Sequence, residues 1–249
     1  MVTRLFIILI LFLNKLNASE QAGSAELMLS HTSVQRGQSI LAGIRIKTPV
    51  GFHSYWKNPG DSGLRTEVKW NNPKLVTVSP LEFPVPQFFN NDGMLTFGYP
   101  GEVILIVQLT IDADTELKEM KLELDVDWLA CKWSCIPGHE KLSATITIGE
   151  SRESKEKILL NNAVRKLPKY VVGKVSKVDM SYHVDFESKQ QLPTDLLLIP
   201  EDGEQFNREI TLIESADNKY GFVIDSPQGR GLLIWVNSKK ENKSLSLAW

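Results

Sequence analysis

The sequence predicts an all-β protein: an immunoglobulin-like β-sandwich followed by a short linking helix and a second, smaller β domain. Three observations carry this. Short segments of alternating apolar and polar residues recur at close spacing from residue 25 onward, with little helical periodicity. Clusters of Gly, Pro, Asn and Asp separate them. One stretch, 151–167, breaks the pattern: it is rich in Lys, Glu, Arg and Leu, spaces Ile158, Leu159, Val164 and Leu167 as a helix would, and is closed by Pro168.

In chain order, Arg4 precedes an unbroken apolar run over 5–13 and a polar exit over 14–19, the layout of a secretory signal peptide cleaved after Ala18. The run is well short of the roughly 20 residues that a spanning helix needs. The mature chain is therefore expected to be exported, soluble and without a membrane span. Candidate strands follow at 26–30, 39–47, 51–56, 66–70, 75–78 and 102–109, and then at 120–126 and 142–148. Turns are marked by Arg36-Gly37, Thr48-Pro49 and Asn58-Pro59-Gly60-Asp61-Ser62-Gly63. These elements give a first domain over 19–150. A helical linker is expected over 151–169 and a second β domain over 170–249, with strands at 175–186, 194–199, 208–213, 220–224 and 231–236. Few contacts usually cross such a linker, so the halves are expected to be separable.

The chain has 249 residues, a formal net charge of −2 and 42% hydrophobic residues, which suits two ordinary globular domains and leaves no basic footprint for nucleic acid. His31, His53, His139 and His183 are scattered without metal spacing, so neither a metal nor another cofactor is expected. No phosphate-cradling glycine loop, nucleophile elbow or dinucleotide fingerprint is present.

Chemistry concentrates in Val126-Asp127-Trp128-Leu129-Ala130-Cys131-Lys132-Trp133-Ser134-Cys135-Ile136-Pro137-Gly138, which holds both cysteines of the protein. On one straight strand their Cα atoms would lie roughly 13 Å apart, beyond disulfide reach. A tight turn through Lys132-Trp133-Ser134 would make them a facing pair. A bridge closing so short a loop contributes about 2 kcal/mol by chain-entropy reasoning, little for a chain long enough to bury its own core. It can serve as a structural staple or as a reducible couple. His139, four positions after Cys135, is a candidate for lowering a thiol pKa, or a plain surface histidine.

Three motifs carry a resemblance: Phe52-His53-Ser54-Tyr55-Trp56-Lys57-Asn58-Pro59-Gly60-Asp61-Ser62-Gly63, then Thr96-Phe97-Gly98-Tyr99, then the cysteine stretch from Trp128 to Gly138. Together they resemble the N-terminal periplasmic region of the DsbD family of thiol:disulfide interchange proteins, and particularly its ScsB-type branch, which shares the cysteine spacing and a second β domain. The resemblance implies a periplasmic protein in which Cys131 and Cys135 form a redox-active pair. Reducing equivalents would come from a thioredoxin-like domain or a separate membrane thiol transporter, and pass to thioredoxin-like periplasmic oxidoreductases, a chemistry linked to cytochrome c biogenesis. By the same resemblance Cys135 forms the mixed disulfide and Cys131 resolves it, and Phe97 and Tyr99 match the position of an aromatic cap over the disulfide. Full-length relatives continue into a membrane domain and a thioredoxin-like domain that this sequence does not contain. The alternative is a non-catalytic binding or assembly module with a structural disulfide; a link to copper rests on the ScsB likeness alone.

Overall fold

A computed structural model describes residues 21–71, 76–91, 93–201, 208–216, 218–226, 228–237 and 241–249; the expected signal peptide, 1–18, lies outside the described residues. The strands of the first half are β1 (Ser24–Leu29), β2 (His31–Val34), β3 (Ser39–Lys47), β4 (His53–Gly60), β5 (Glu67–Trp70), β6 (Val76–Val78), β7 (Gln87–Asn91), β8 (Met94–Pro100), β9 (Glu102–Ile111), β10 (Glu119–Cys131), β11 (Cys135–Ile148) and β12 (Arg152–Glu153). One sheet runs β1-β3-β9-β6, and the other β12-β2-β11-β10-β4-β8-β7, with β5 also on β10. Alternation explains the sandwich: Met120, Leu122, Leu124, Val126, Trp128 and Ala130 of β10 all point inward and are buried against Ile44, Ile46, Leu105 and Leu109 of the facing sheet. The fold is the all-β, immunoglobulin-like one that the pattern predicts.

The helix is shorter than its sequence suggests. Residues 152–153 pair with β2 as strand, and α1 spans Lys157–Val164. It docks on the outer face of the first sheet, where Leu160 and Ala163 join Met28 and Ile106 in a small core. Gly43 leaves the space for it, because a Cβ there would lie 2.4 Å from Leu160 Cδ2.

The second half comprises β13 (Val171–Val172), β14 (Lys174–Val178), β15 (Ser181–Glu187), β16 (Asp195–Pro200), β17 (Arg208–Thr211), β18 (Ile213–Ala216), β19 (Lys219–Ile224), β20 (Arg230–Val236) and β21 (Asn242–Ala248). They form sheets β13-β21-β20-β16-β17 and β14-β15-β19-β18 around Val184, Phe186, Leu198, Phe222, Leu233 and Leu247. The strand expected over 175–186 is a hairpin, turned at Asp179 with φ 53°.

The junction between the halves is not sparse. Ile199, Leu232 and Ile234 belong to the apolar core of the first half. Asn58 Nδ2, buried, donates to Pro200 O at 2.6 Å. Glu201, also buried, accepts from Lys57 Nζ and from the Tyr170 hydroxyl, with Arg230 Nε 3.7 Å away.

Candidate functional site

β10 and β11 pair without interruption from Glu119↔Thr147 to Cys131↔Cys135, so the tight turn required by the cysteine spacing forms at the end of a long hairpin. Lys132-Trp133-Ser134 closes it, with Lys132 N–H donating to Ser134 O at 3.0 Å. The cysteines face each other with Cα atoms 4.1 Å apart and are joined as a disulfide. Register near the tip is held by Trp128, whose indole N–H donates to Ala22 O at 2.9 Å and whose ring lies over the opposite Gly138. A Cβ on Gly138 would fall 2.2 Å from that ring.

The two cysteines differ in environment. Cys131 is 2% exposed, whereas Cys135 is exposed to solvent, and Trp133 between them is 95% exposed. The burial of Cys131 is not a property of its strand. Successive strand residues point to opposite faces, and the inward set ends at Ala130, so Cys131 projects from the outer face with Leu129 and Asp127. Something must cover it there.

On that face β4 and β7 bring a group of rings together beside it. His53 is the cross-strand partner of Cys131, and Tyr55, two residues on, shares its face. The rings of His53 and Tyr55 meet edge to face at 5.0 Å, and Phe89 of β7 stacks on His53 with centroids 4.7 Å apart. The turn after β4 folds over Tyr55 at Gly63, which has φ +106° and where a Cβ would lie 2.2 Å from the tyrosine ring. Only glycine fits that place. Burial lowers the pKa of His53 and raises that of Tyr55, which also hydrogen-bonds with Ser62. His53 is therefore a neutral imidazole at neutral pH, and its Nε2 is buried without a hydrogen-bond partner among the described residues.

Phe97 and Tyr99 lie elsewhere. Tyr99 pairs with Ser54, one residue from His53, and that single step puts it on the opposite, inward face of the sheet. Its hydroxyl donates to Pro84 O at 2.7 Å, and burial followed by the nearby Glu201 carboxylate raises its pKa. Phe97, wholly buried, packs edge to face on Trp56 at 6.3 Å. Both rings sit inside the sandwich, with the sheet between them and the disulfide. His139 shares the outer face with Cys135 but is four residues along β11, roughly 13 Å away. Its Nδ1 lies 2.8 Å from Asp127 Oδ1, and Nε2 3.7 Å from Asp125 Oδ1.

Beside the disulfide, β4 leaves β10 after His53 and β5 joins it only at Asp127. The gap is a cleft lined by Pro59, Leu64, Arg65, Leu129 and Pro137. Leu129 and Pro137 stand two positions before Cys131 and after Cys135, so the cleft opens on the same face. Among the described residues no three His, Cys, Asp or Glu side chains cluster to hold a metal ion, and no helix is long and apolar enough to cross a membrane.

His53, Tyr55 and Phe89 are functional candidates that reading of the sequence passed over as site residues. The usable signal was local: Phe88-Phe89 followed by Asn-Asn-Asp-Gly is an aromatic segment running into a turn.

Comparison with known proteins bears on the family and the fold. The family model described as "Thiol:disulfide interchange protein DsbD, N-terminal" matches residues 25–147. No curated protein matches the chain. Among solved structures, the N-terminal periplasmic domain of ScsB from Proteus mirabilis matches with a TM-score of 0.53 at 14% identity, covering 94% of this chain and 96% of that one. At that identity the likeness is one of fold, and it extends over both halves. The major pilin subunit BcpA of Bacillus cereus matches with a TM-score of 0.31 at 5% identity, over 91% of this chain and 66% of that one.

Proposed function

Residues 25–147 belong to the N-terminal-domain family of the thiol:disulfide interchange protein DsbD, and from that premise we propose that this chain is a periplasmic electron shuttle working by thiol–disulfide exchange through Cys131 and Cys135. The observation that carries the reading is the asymmetry of the pair: one sulfur open at a hairpin tip, the other buried on a face that only a cover of side chains makes dry. A bridge over so short a loop contributes about 2 kcal/mol, which gives a structural staple little purpose in a sandwich with this core.

In the reduced chain, the Cys135 thiolate attacks one sulfur of a partner's disulfide, and the partner's other sulfur leaves as thiolate. Cys131 then attacks Cys135 Sγ, the mixed disulfide breaks, and the partner departs with two reduced sulfurs. Reloading runs the same steps backward, from a thioredoxin-like or membrane-borne donor attacking the exposed Cys135. Trp133 and the cleft beside Leu129 and Pro137 offer apolar surface against which such a partner can seat. Phe89, on the disulfide's own face of the sheet, is the aromatic shield in place of Phe97 and Tyr99.

Trapping tests the reading. Cys131→Ser should accumulate a covalent adduct with a periplasmic thioredoxin-like partner, seen on a non-reducing gel and lost with reductant, whereas Cys135→Ser should not. A reduction potential well below about −300 mV, with no adduct from either variant, would mark a structural bridge instead.

A further inference from the structure

The resolving step has a chemical requirement that the cysteine pair does not meet by itself. Cys131 is buried, and burial in apolar surroundings favours the neutral thiol, which is a poor nucleophile. It must lose its proton as it attacks. Three side chains lie in a row across adjacent strands on one face: Cys135 on β11, Cys131 on β10 and His53 on β4. Directly paired residues of neighbouring antiparallel strands hold their Cβ atoms about 5 Å apart, so an imidazole at 53 lies within reach of the sulfur at 131.

His53 is suited to receive that proton. Its Nε2 is buried and lacks a hydrogen-bond partner among the described residues, a costly state for a polar atom that has no task. Phe89 stacked on one side and Tyr55 at its edge fix the ring plane. We propose that His53 is the acid–base partner of Cys131 in thiol–disulfide exchange. This rests on the redox reading of the pair. As Cys131 Sγ bonds to Cys135 Sγ, the thiol proton passes to the imidazole, the bond from Cys135 to the partner's sulfur breaks, and that sulfur leaves with the electron pair. The imidazolium then yields its proton to water. When a donor thiolate opens the disulfide at Cys135, the electron pair leaves on Cys131 Sγ, and the ring, protonated from water, returns a proton to it.

The groups facing His53 make it an acceptor at neutral pH. They are Tyr55 on its own strand, kept neutral by burial, Cys131 on β10, Phe89 on β7 and Pro100 on β8. Lys132, next to Cys131 in sequence, carries its ammonium to Gly51. Burial alone sets the shift of the imidazole.

The test uses the reduced full chain and a chromogenic aryl disulfide. Attack by Cys135 releases one aryl thiolate, and closure by Cys131 releases a second, so the two steps are read as two phases in one trace. His53→Phe keeps an aromatic ring for Phe89 to stack on, and His53→Gln keeps hydrogen bonding without basicity. Both should slow the second phase relative to the first by at least about tenfold at neutral pH and move its pH profile upward. Because the two replacements differ in shape, a folding defect in one leaves the other decisive. An unchanged ratio of phases and an unchanged profile in the folded variants overturn the role of His53 while the exchange chemistry stands. A wild-type chain that shows no second phase overturns the exchange reading, and this one with it.

Discussion

At Cys131 an outward-facing strand position is buried, and what buries it controls access to the bond. Removing Phe89 should therefore expose the disulfide. Phe89→Ala is expected to speed reduction by a small thiol several-fold without changing the circular dichroism spectrum, because the ring is only partly buried. Phe97→Ala instead removes a wholly buried ring from the core and should cost about 3–5 kcal/mol in denaturant unfolding, with the reduction rate of the folded form unaltered. If Phe97→Ala accelerated reduction and Phe89→Ala did not, the shield would be on the other face. Histidines at this scale also tie stability to pH. His53, through burial, and His31, through burial and then Lys157, have pKa values lowered from 6.5. The unfolded chain thus binds their protons at higher pH than the folded one. Stability is fully present above that value and is lost as pH falls from it through the folded values. A thermal midpoint followed from about pH 7.5 down to pH 5 should drop, and drop less in His53→Phe; equal slopes would show that the ring is not held neutral by the fold.

The hairpin β10–β11 is the element that makes the site, and its register depends on Trp128 lying over Gly138. Gly138→Ala puts a methyl group where the indole stands, and the rigid ring must move. The expected cost is about 1–3 kcal/mol of stability, with loss of the indole hydrogen bond to Ala22, read as a change in tryptophan fluorescence. The helix α1 is a second element whose role is packing. Leu160→Ala should cost about 2–5 kcal/mol, since the side chain is fully buried in the small core that it shares with Met28 and Ile106. An effect near zero would mean that the helix merely links. Much of this level was legible. Glu119, Lys121, Glu123 and Asp125 of β10 alternate with Met120, Leu122, Leu124 and Val126, so its strand and inward face could be read directly. β7 and β21 were not legible, because Gln, Asn, Lys and Ser dominate them and only neighbouring strands hold them in a sheet.

Across the whole molecule, the contacts at Asn58, Lys57 and Glu201 join the halves beside the same β4 that carries His53. Asn58 also accepts from Gly60 N–H at 3.0 Å, so Asn58→Ala strands two backbone groups at once. About 1–3 kcal/mol should be lost, and a single thermal transition should separate into two as the halves uncouple. Residues 19–150 expressed alone should fold and keep the disulfide, at a lower midpoint than the full chain, because Ile199, Leu232 and Ile234 no longer cover its core. A fragment as stable as the whole would make the junction incidental.

By itself the sequence determined the β-sandwich class, the facing of Cys131 and Cys135, and the family resemblance, because each depends on local information: period-two alternation, a four-residue separation that only a turn can close, and contiguous motifs. Only the tertiary structure decided which side chains surround the disulfide. On β8 the run Thr96-Phe97-Gly98-Tyr99 is buried on both faces, so burial pattern alone cannot tell the inward ring from the outward one. The choice is made by register between strands distant in sequence, His53 against Cys131 and Ser54 against Tyr99, where one residue of offset exchanges the faces.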